Sequence, residues 1–129
     1  MPDLLLVRHV MTANFKHIDG VTKAQDALTI MKEEGIHAVL IQPRNDHDVF
    51  GILTLRDIAR KVIAERRKLN ETHVYEIMSK PVLSVQADMP IPFAARFLTQ
   101  FNVSYATVVE DNKIVGLVSL NDIVTQWQD

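Results

Sequence analysis

Cysteine is absent from this sequence, which removes disulfides, thiolate nucleophiles and cysteine-ligated zinc together. Glycine is scarce as well, with four in 129 residues, and no P-loop, G-x-G-x-x-G, G-x-S-x-G or H-E-x-x-H pattern occurs. The chain therefore shows no phosphate cradle, activated nucleophile or zinc-bound base, and it is not expected to be an enzyme. His9, His17, His37, His47 and His73 are scattered, and none forms an H-x-x-x-H pair with a third acidic ligand, so no metal site is expected. An excess of basic charge is also missing. The net charge is −2, and the local run Arg60, Lys61, Arg66, Arg67 and Lys68 is broken by Glu65 and carries no interleaved aromatics. It reads as a solvated helix face, and no nucleic-acid partner is expected. Long apolar stretches are lacking too: the run from Leu4 to Val7 is short, preceded by Asp3 and followed by Arg8 and His9. Neither a secretory h-region nor a membrane span fits it, which points to a cytoplasmic protein that does not engage a membrane.

What is present is an apolar content of 47% with 23% charged residues, the profile of a folded chain. A unit of about 60 residues is marginal alone, so a core of useful size requires that the whole length share it. Internal similarity supplies the organisation. Shifted by 67 residues, Val7-Arg8-His9-Val10-Met11-Thr12 falls on Val74-Tyr75-Glu76-Ile77-Met78-Ser79. The same shift lays the segment Gly35 to Ile41 on Asn102 to Val108. Beyond a turn that is two residues longer in the first half, the shift becomes 65 residues, and Val49-Phe50-Gly51-Ile52-Leu53-Thr54-Leu55-Arg56-Asp57-Ile58 falls on Ile114-Val115-Gly116-Leu117-Val118-Ser119-Leu120-Asn121-Asp122-Ile123. The repeats are assigned as residues 1–68, including a connecting helix, and 69–129.

Each repeat has the same pattern of elements. Ala24, Ala27, Leu28 and Met31 recur at i, i+3, i+4 and i+7, as do Ile91, Ala94, Ala95 and Leu98, so both stretches are amphipathic helices. Pro90 and Pro92 open the second, where proline costs no intrahelical hydrogen bond. Two β-branched runs follow each helix, about residues 37–42 and 49–54, then 104–109 and 113–119, separated by turn-forming sequences. Further helices are expected at about 55–68 and 120–127, and a short strand before each long helix near 15–18 and 82–85. The fold class is α+β, as two β-α-β-β-α units. Each unit leaves one sheet face bare, so the two are expected to pack with pseudo-two-fold symmetry.

Chemistry concentrates in the duplicated Gly-h-h-Thr/Ser-x-x-Asp, where h is apolar. Thr54 with Asp57, and Ser119 with Asp122, have the spacing of a capping box, which would account for them structurally. The alternative is a nucleotide site. A carboxylate one turn into the helix accepts two hydrogen bonds from a ribose diol, and free backbone N–H groups with the hydroxyl receive a phosphate.

The doubled pattern, with its Ile/Val-Met-Thr/Ser openings, resembles the CBS-domain family over almost the whole chain. The resemblance implies a two-repeat Bateman module that binds AMP, ADP, ATP or S-adenosylmethionine in clefts built from both repeats, and that regulates a partner protein not named by the sequence. Asp57 and Asp122 resemble the ribose-reading acids, and Thr54 and Ser119 their hydroxyl partners, with Arg56 and Asn121 alongside. The adenine walls are expected near Lys16-His17-Ile18 and Ile36-His37-Ala38, and near Leu83-Ser84-Val85 and Val103-Ser104-Tyr105. In the family these strands often carry a proline that Val39-Leu40-Ile41 and Ala106-Thr107-Val108 lack. Arg56, Arg60 and Lys61 near Asp57 stand where Asn121, Thr125 and Gln126 stand near Asp122, so a phosphorylated ligand is expected to prefer Asp57. Phe93, Phe97 and Phe101, with Met89 and Trp127, add apolar surface suited to a helix contact, and the resemblance implies a homodimer. The alternative function is a scaffold module with degenerate clefts.

Overall fold

The computed structural model describes residues 5–129, so Asp3 and Leu4 of the N-terminal apolar run lie outside the described residues. In chain order the elements are α1 (Val7–Val10), β1 (His17–Ile18), α2 (Ala24–Glu34), β2 (Ala38–Ile41), β3 (Gly51–Thr54), α3 (Leu55–Ile58), β4 (Ser84–Gln86), α4 (Ile91–Gln100), β5 (Tyr105–Glu110), β6 (Lys113–Ser119) and α5 (Leu120–Gln126). They form two compact units. One is continuous, Lys16–Val82; the other is split, joining the segment that ends at Phe15 to Leu83–Asp129.

In the continuous unit the sheet order is β1-β2-β3, with β1 parallel to β2 and β3 antiparallel to it. The predicted stripe of α2 is buried at Ala24, Ala27 and Met31, and it packs with Val39, Ile41 and Leu53 of the sheet. The alternate residues Ala38, Leu40 and Ile52 point to the opposite face and are buried too, which is why these strands read as unbroken apolar runs. Helix α2 stops at Gly35, whose φ of 64° is left-handed, with its N–H donating to the Met31 carbonyl.

The split unit repeats this arrangement as β4-β5-β6 beneath α4, again parallel then antiparallel. Ile91, Ala94 and Leu98 of α4 meet Ala106, Val108 and Val118. Asn102, with φ 54°, takes the place of Gly35, and the hairpin turns through Asp111 and Asn112, both at positive φ.

Several predicted elements differ in extent, the short strands expected near 15–18 and 82–85 beginning only at His17 and Ser84. The strand expected from residue 49 begins at Gly51, because the preceding loop folds on itself: the Arg44 N–H donates to the Asp48 carboxylate, which also pairs with Lys80. The helix expected over 55–68 is α-helical only to Ile58. It continues as a π-turn, Ala59–Ile63, with i→i+5 bonds from Ala64 to Ala59 and from Arg67 to Val62. It ends where Arg66 turns left-handed, at φ 57°.

The compact units exchange the opening segments of the sequence repeats. Val7 and Arg8 donate to the carbonyls of Met89 and Ala87, and Thr12 pairs with Leu117 of β6 through reciprocal bonds of 2.8 and 3.0 Å. In the continuous unit Val74 and Tyr75 donate to Thr22 and Gly20, and Ser79 pairs with Ile52 of β3 through two bonds of 2.9 Å. Each Met-Thr/Ser opening thus lies on the closing hairpin of the other repeat. Gly116 and Gly51 permit the approach: a Cβ on Gly116 would stand 2.9 Å from the Thr12 carbonyl and 2.8 Å from the Met11 sulfur, and one on Gly51 would stand 2.9 Å from the Met78 sulfur.

Candidate functional site

In each unit the start of the first two strands, the end of the third and the first turn of the helix after it come to one end of the sheet. In the continuous unit the Leu40 N–H donates to the Lys16 carbonyl, and the Leu55 N–H donates to the His37 carbonyl at 3.1 Å. In the split unit Thr107 donates to Leu83, and Leu120 to Ser104 at 3.0 Å. The predicted residues Lys16, His17, His37, Thr54 and Asp57 are gathered in one unit, and Ser84, Ser104, Tyr105, Ser119 and Asp122 in the other.

Asp57 occupies a closed environment. Its N–H donates to Thr54 Oγ1 at 3.1 Å, while its Oδ2 accepts from the Thr54 N–H at 2.9 Å and from the Thr54 hydroxyl at 3.1 Å. This is a complete capping box. The second oxygen, Oδ1, accepts from the Ser79 hydroxyl at 3.1 Å and lies 3.5 Å from Lys61 Nζ, so a side chain only 7% exposed has donors on both oxygens. Lys61 also donates to the Ile77 carbonyl at 3.1 Å. Arg56 and Arg60 are exposed and make no ion pair among the described residues.

Asp122 is set differently. Ser119 Oγ accepts from the Asp122 N–H at 3.0 Å, but the carboxylate does not return to the cap. Among the described residues no hydrogen bond or ion pair reaches that half-buried carboxylate. Gln126, the counterpart of Lys61, donates to the Val10 carbonyl at 3.4 Å. Tyr105, the partner of Ser119 across the β5–β6 ladder, has its phenol pushed above its ordinary value by burial and, less, by the negative charge of Asp122.

The remaining predicted residues serve the fold as much as the site. Val85 lies in the split-unit core, with Val103 packed against it. Ile18 and Ile36 pack against the core of the continuous unit, and Ala38 is buried on the sheet's other face, so these positions offer a ligand mainly their backbone. Ser84 shares a 2.6 Å hydroxyl contact with Thr107, which is wholly buried. Lys16 pairs with Glu34, His17 meets the Gln42 amide, and Asn121 is exposed.

Sequence reasoning missed Ser79 and the carbonyls of Ile77 and Val10. Their positions in the repeat openings were visible, but nothing in the spacing says that an opening crosses to the other repeat's helix. In the structure that opening's methionine sits against a glycine of the closing hairpin, Met78 against Gly51 and Met11 against Gly116, but each repeat carries both residues, so the sequence holds no cue to the crossing.

The sequence model of the CBS domain matches this chain twice, at residues 7–64 and 74–128. The chain belongs to the CBS-domain family. Its two CBS repeats are 30% identical over 118 residues to the CBS domain-containing protein YhcV of Bacillus subtilis, covering 91% of this chain and 81% of that protein. Other curated relatives are longer, and the chain spans about half the length of three of them. Among solved structures, the hexameric CBS-CP12 protein from bloom-forming cyanobacteria superposes with a TM-score of 0.91 and 32% identity, covering 98% of this chain and 74% of that one. The CBS domain pair of MJ0100, solved with 5′-methylthioadenosine and S-adenosyl-L-methionine, superposes with a TM-score of 0.79 at 26% identity over 95% of each chain. In this CBS pair no helix is long and apolar enough to cross a membrane among the described residues, and no three His, Asp or Glu side chains there group as metal ligands.

Proposed function

We propose that this CBS pair is a non-catalytic regulatory module that takes up an adenosine-containing ligand and passes its occupancy to a partner protein. The observation that carries the reading is the Asp122 carboxylate, half-buried beside Ser119 and Tyr105 and accepting no hydrogen bond among the described residues. A half-buried acid with open lone pairs suits the two donors of a ribose diol, and a polar rim of Ser84, Ser104 and Asn121 surrounds that end of the sheet. The adenosine ligands held by MJ0100 support the ligand class. Occupancy acts by favouring whichever conformation binds better, which a partner then reads.

Self-association belongs to the same reading. Phe93 on α4 and Phe101 just past its end are 54% and 51% exposed, and Val124 and Trp127 are exposed too, a surface suited to a second copy. The scaffold alternative draws its support from Asp57, whose bonds are all internal.

A thermal-shift screen with AMP, ADP, ATP, NAD, S-adenosylmethionine and 5′-methylthioadenosine tests the proposal. A ligand present at about 100 times its Kd adds about 2.7 kcal/mol to the native state, a rise in melting temperature of roughly 10 °C. At least one of these compounds is expected to produce it, and Asp122→Asn to remove it. A flat response to all six favours the scaffold.

A further inference from the structure

We infer that the two copies of the ligand motif have diverged, so that each chain takes one ligand equivalent through Asp122 while the protein's own donors keep Asp57 closed. This rests on the adenosine reading above and fixes its stoichiometry. A carboxylate has about four lone-pair positions. At Asp57, Oδ2 receives the Thr54 N–H and hydroxyl, and Oδ1 faces the Ser79 hydroxyl and the Lys61 ammonium, so the places a ribose diol would need are filled. A side-chain exposure of 7% leaves no approach that avoids breaking these contacts. Asp122 has none of them.

The difference traces to two substitutions between the repeats. Lys61 reaches both the Ile77 carbonyl and Asp57, whereas Gln126 makes only the equivalent carbonyl bond, to Val10, and has no charge to draw toward Asp122. Ser79 turns its hydroxyl onto Asp57, whereas Thr12, which holds the same place on β6, makes no bond to Asp122. The donors that close Asp57 come from its own unit, on the π-turn and the 77–79 segment, so the closure needs no ligand and no second chain.

The expected preference of a phosphorylated ligand for Asp57 is therefore reversed. Lys61 is a positioning residue whose charge is spent on the protein's own acid.

Isothermal titration calorimetry with 5′-methylthioadenosine and with AMP reads the stoichiometry. Wild type is expected to bind one equivalent per chain and Asp122→Asn none, while Lys61→Gln with Ser79→Ala, which strips from Asp57 the two donors that Asp122 lacks, gains a second equivalent. Where wild type binds, two equivalents in wild type, full binding by the Asp122 variant, or no gain in the double variant overturns the inference. The closure is also read without ligand: Asp57→Asn should lower the melting temperature by about 5 °C and Asp122→Asn by less than about 2 °C. Equal losses overturn it even if neither compound binds, whereas absent binding with unequal losses counts against the adenosine reading alone.

Discussion

Replacing Gly116 with alanine tests whether the opening segment is held on the closing hairpin of the other repeat. The new methyl would lie 2.8 Å from the Met11 sulfur and 3.1 Å from its Cγ, contacts that a flexible thioether relieves by changing rotamer. It would also lie 2.9 Å from the Thr12 carbonyl oxygen, which is backbone and is fixed by the Leu117 N–H at 3.0 Å. That oxygen cannot retreat without stretching the bridge. Overpacking of this kind costs about 1–3 kcal/mol, a weakened hydrogen bond adds about 1 kcal/mol, and the stiffer unfolded chain returns about 0.4–1 kcal/mol. The net expectation is a loss of about 1–3.6 kcal/mol, centred a little above about 2 kcal/mol. At Gly51 the nearest backbone oxygen, that of Ser79, stands at 3.3 Å, so Gly51→Ala meets mostly the Met78 side chain and should lose about 1 kcal/mol. Urea unfolding followed by circular dichroism gives both values, and adding Met11→Ala to Gly116→Ala should recover little. Equal losses at the two glycines, or full rescue by Met11→Ala, would refute the account of a backbone-limited approach.

Thr107→Val should cost about 1 kcal/mol in the same urea assay, because it removes a wholly buried hydroxyl that bonds Ser84 while the exposed Ser84 turns to water; a neutral result would mean that the 2.6 Å contact contributes nothing. In a Tyr75→Phe background, ultraviolet titration should find the Tyr105 phenol above its ordinary value, since burial first and Asp122 second disfavour the phenolate. Its folded value exceeds its unfolded one, so its contribution to stability is complete below the ordinary tyrosine range and disappears as pH rises through the folded value. Asp122→Asn should bring that titration part of the way down, and no movement would place the carboxylate's charge away from the ring.

Periodicity was enough to read α2, α4 and the hairpins, because a buried stripe at helical spacing and a β-branched run each have one economical fold. It was not enough for the helix after β3. Ile58 and Val62 continue an apolar stripe whose spacing does not distinguish an i→i+4 from an i→i+5 turn, yet the wider turn accompanies the placement of Lys61 between Asp57 and the Ile77 carbonyl. At the candidate site the Thr/Ser-x-x-Asp repeats were legible, but their inequivalence was not. It depends on Ser79, which is distant in sequence from Asp57 and reaches it only because the opening segments change places. The charges drawn near Asp57 by spacing were real, but Arg56 and Arg60 face solvent and Lys61 alone turns inward.

The exchange of opening segments makes one unit an insertion within the other, and this orders their assembly. The pairing partners of all three strands of the continuous unit lie between Lys16 and Val82, so these strands can pair while later residues are still being synthesised. The split unit must bring residues 5–12 back to partners at 87–91 and 117, around a tether that contains the entire inserted body. Non-local closure of this kind is slow, and a folded insertion shortens the tether that an unfolded one leaves long. Damage to the inserted body is thus felt in the closure of its host as well.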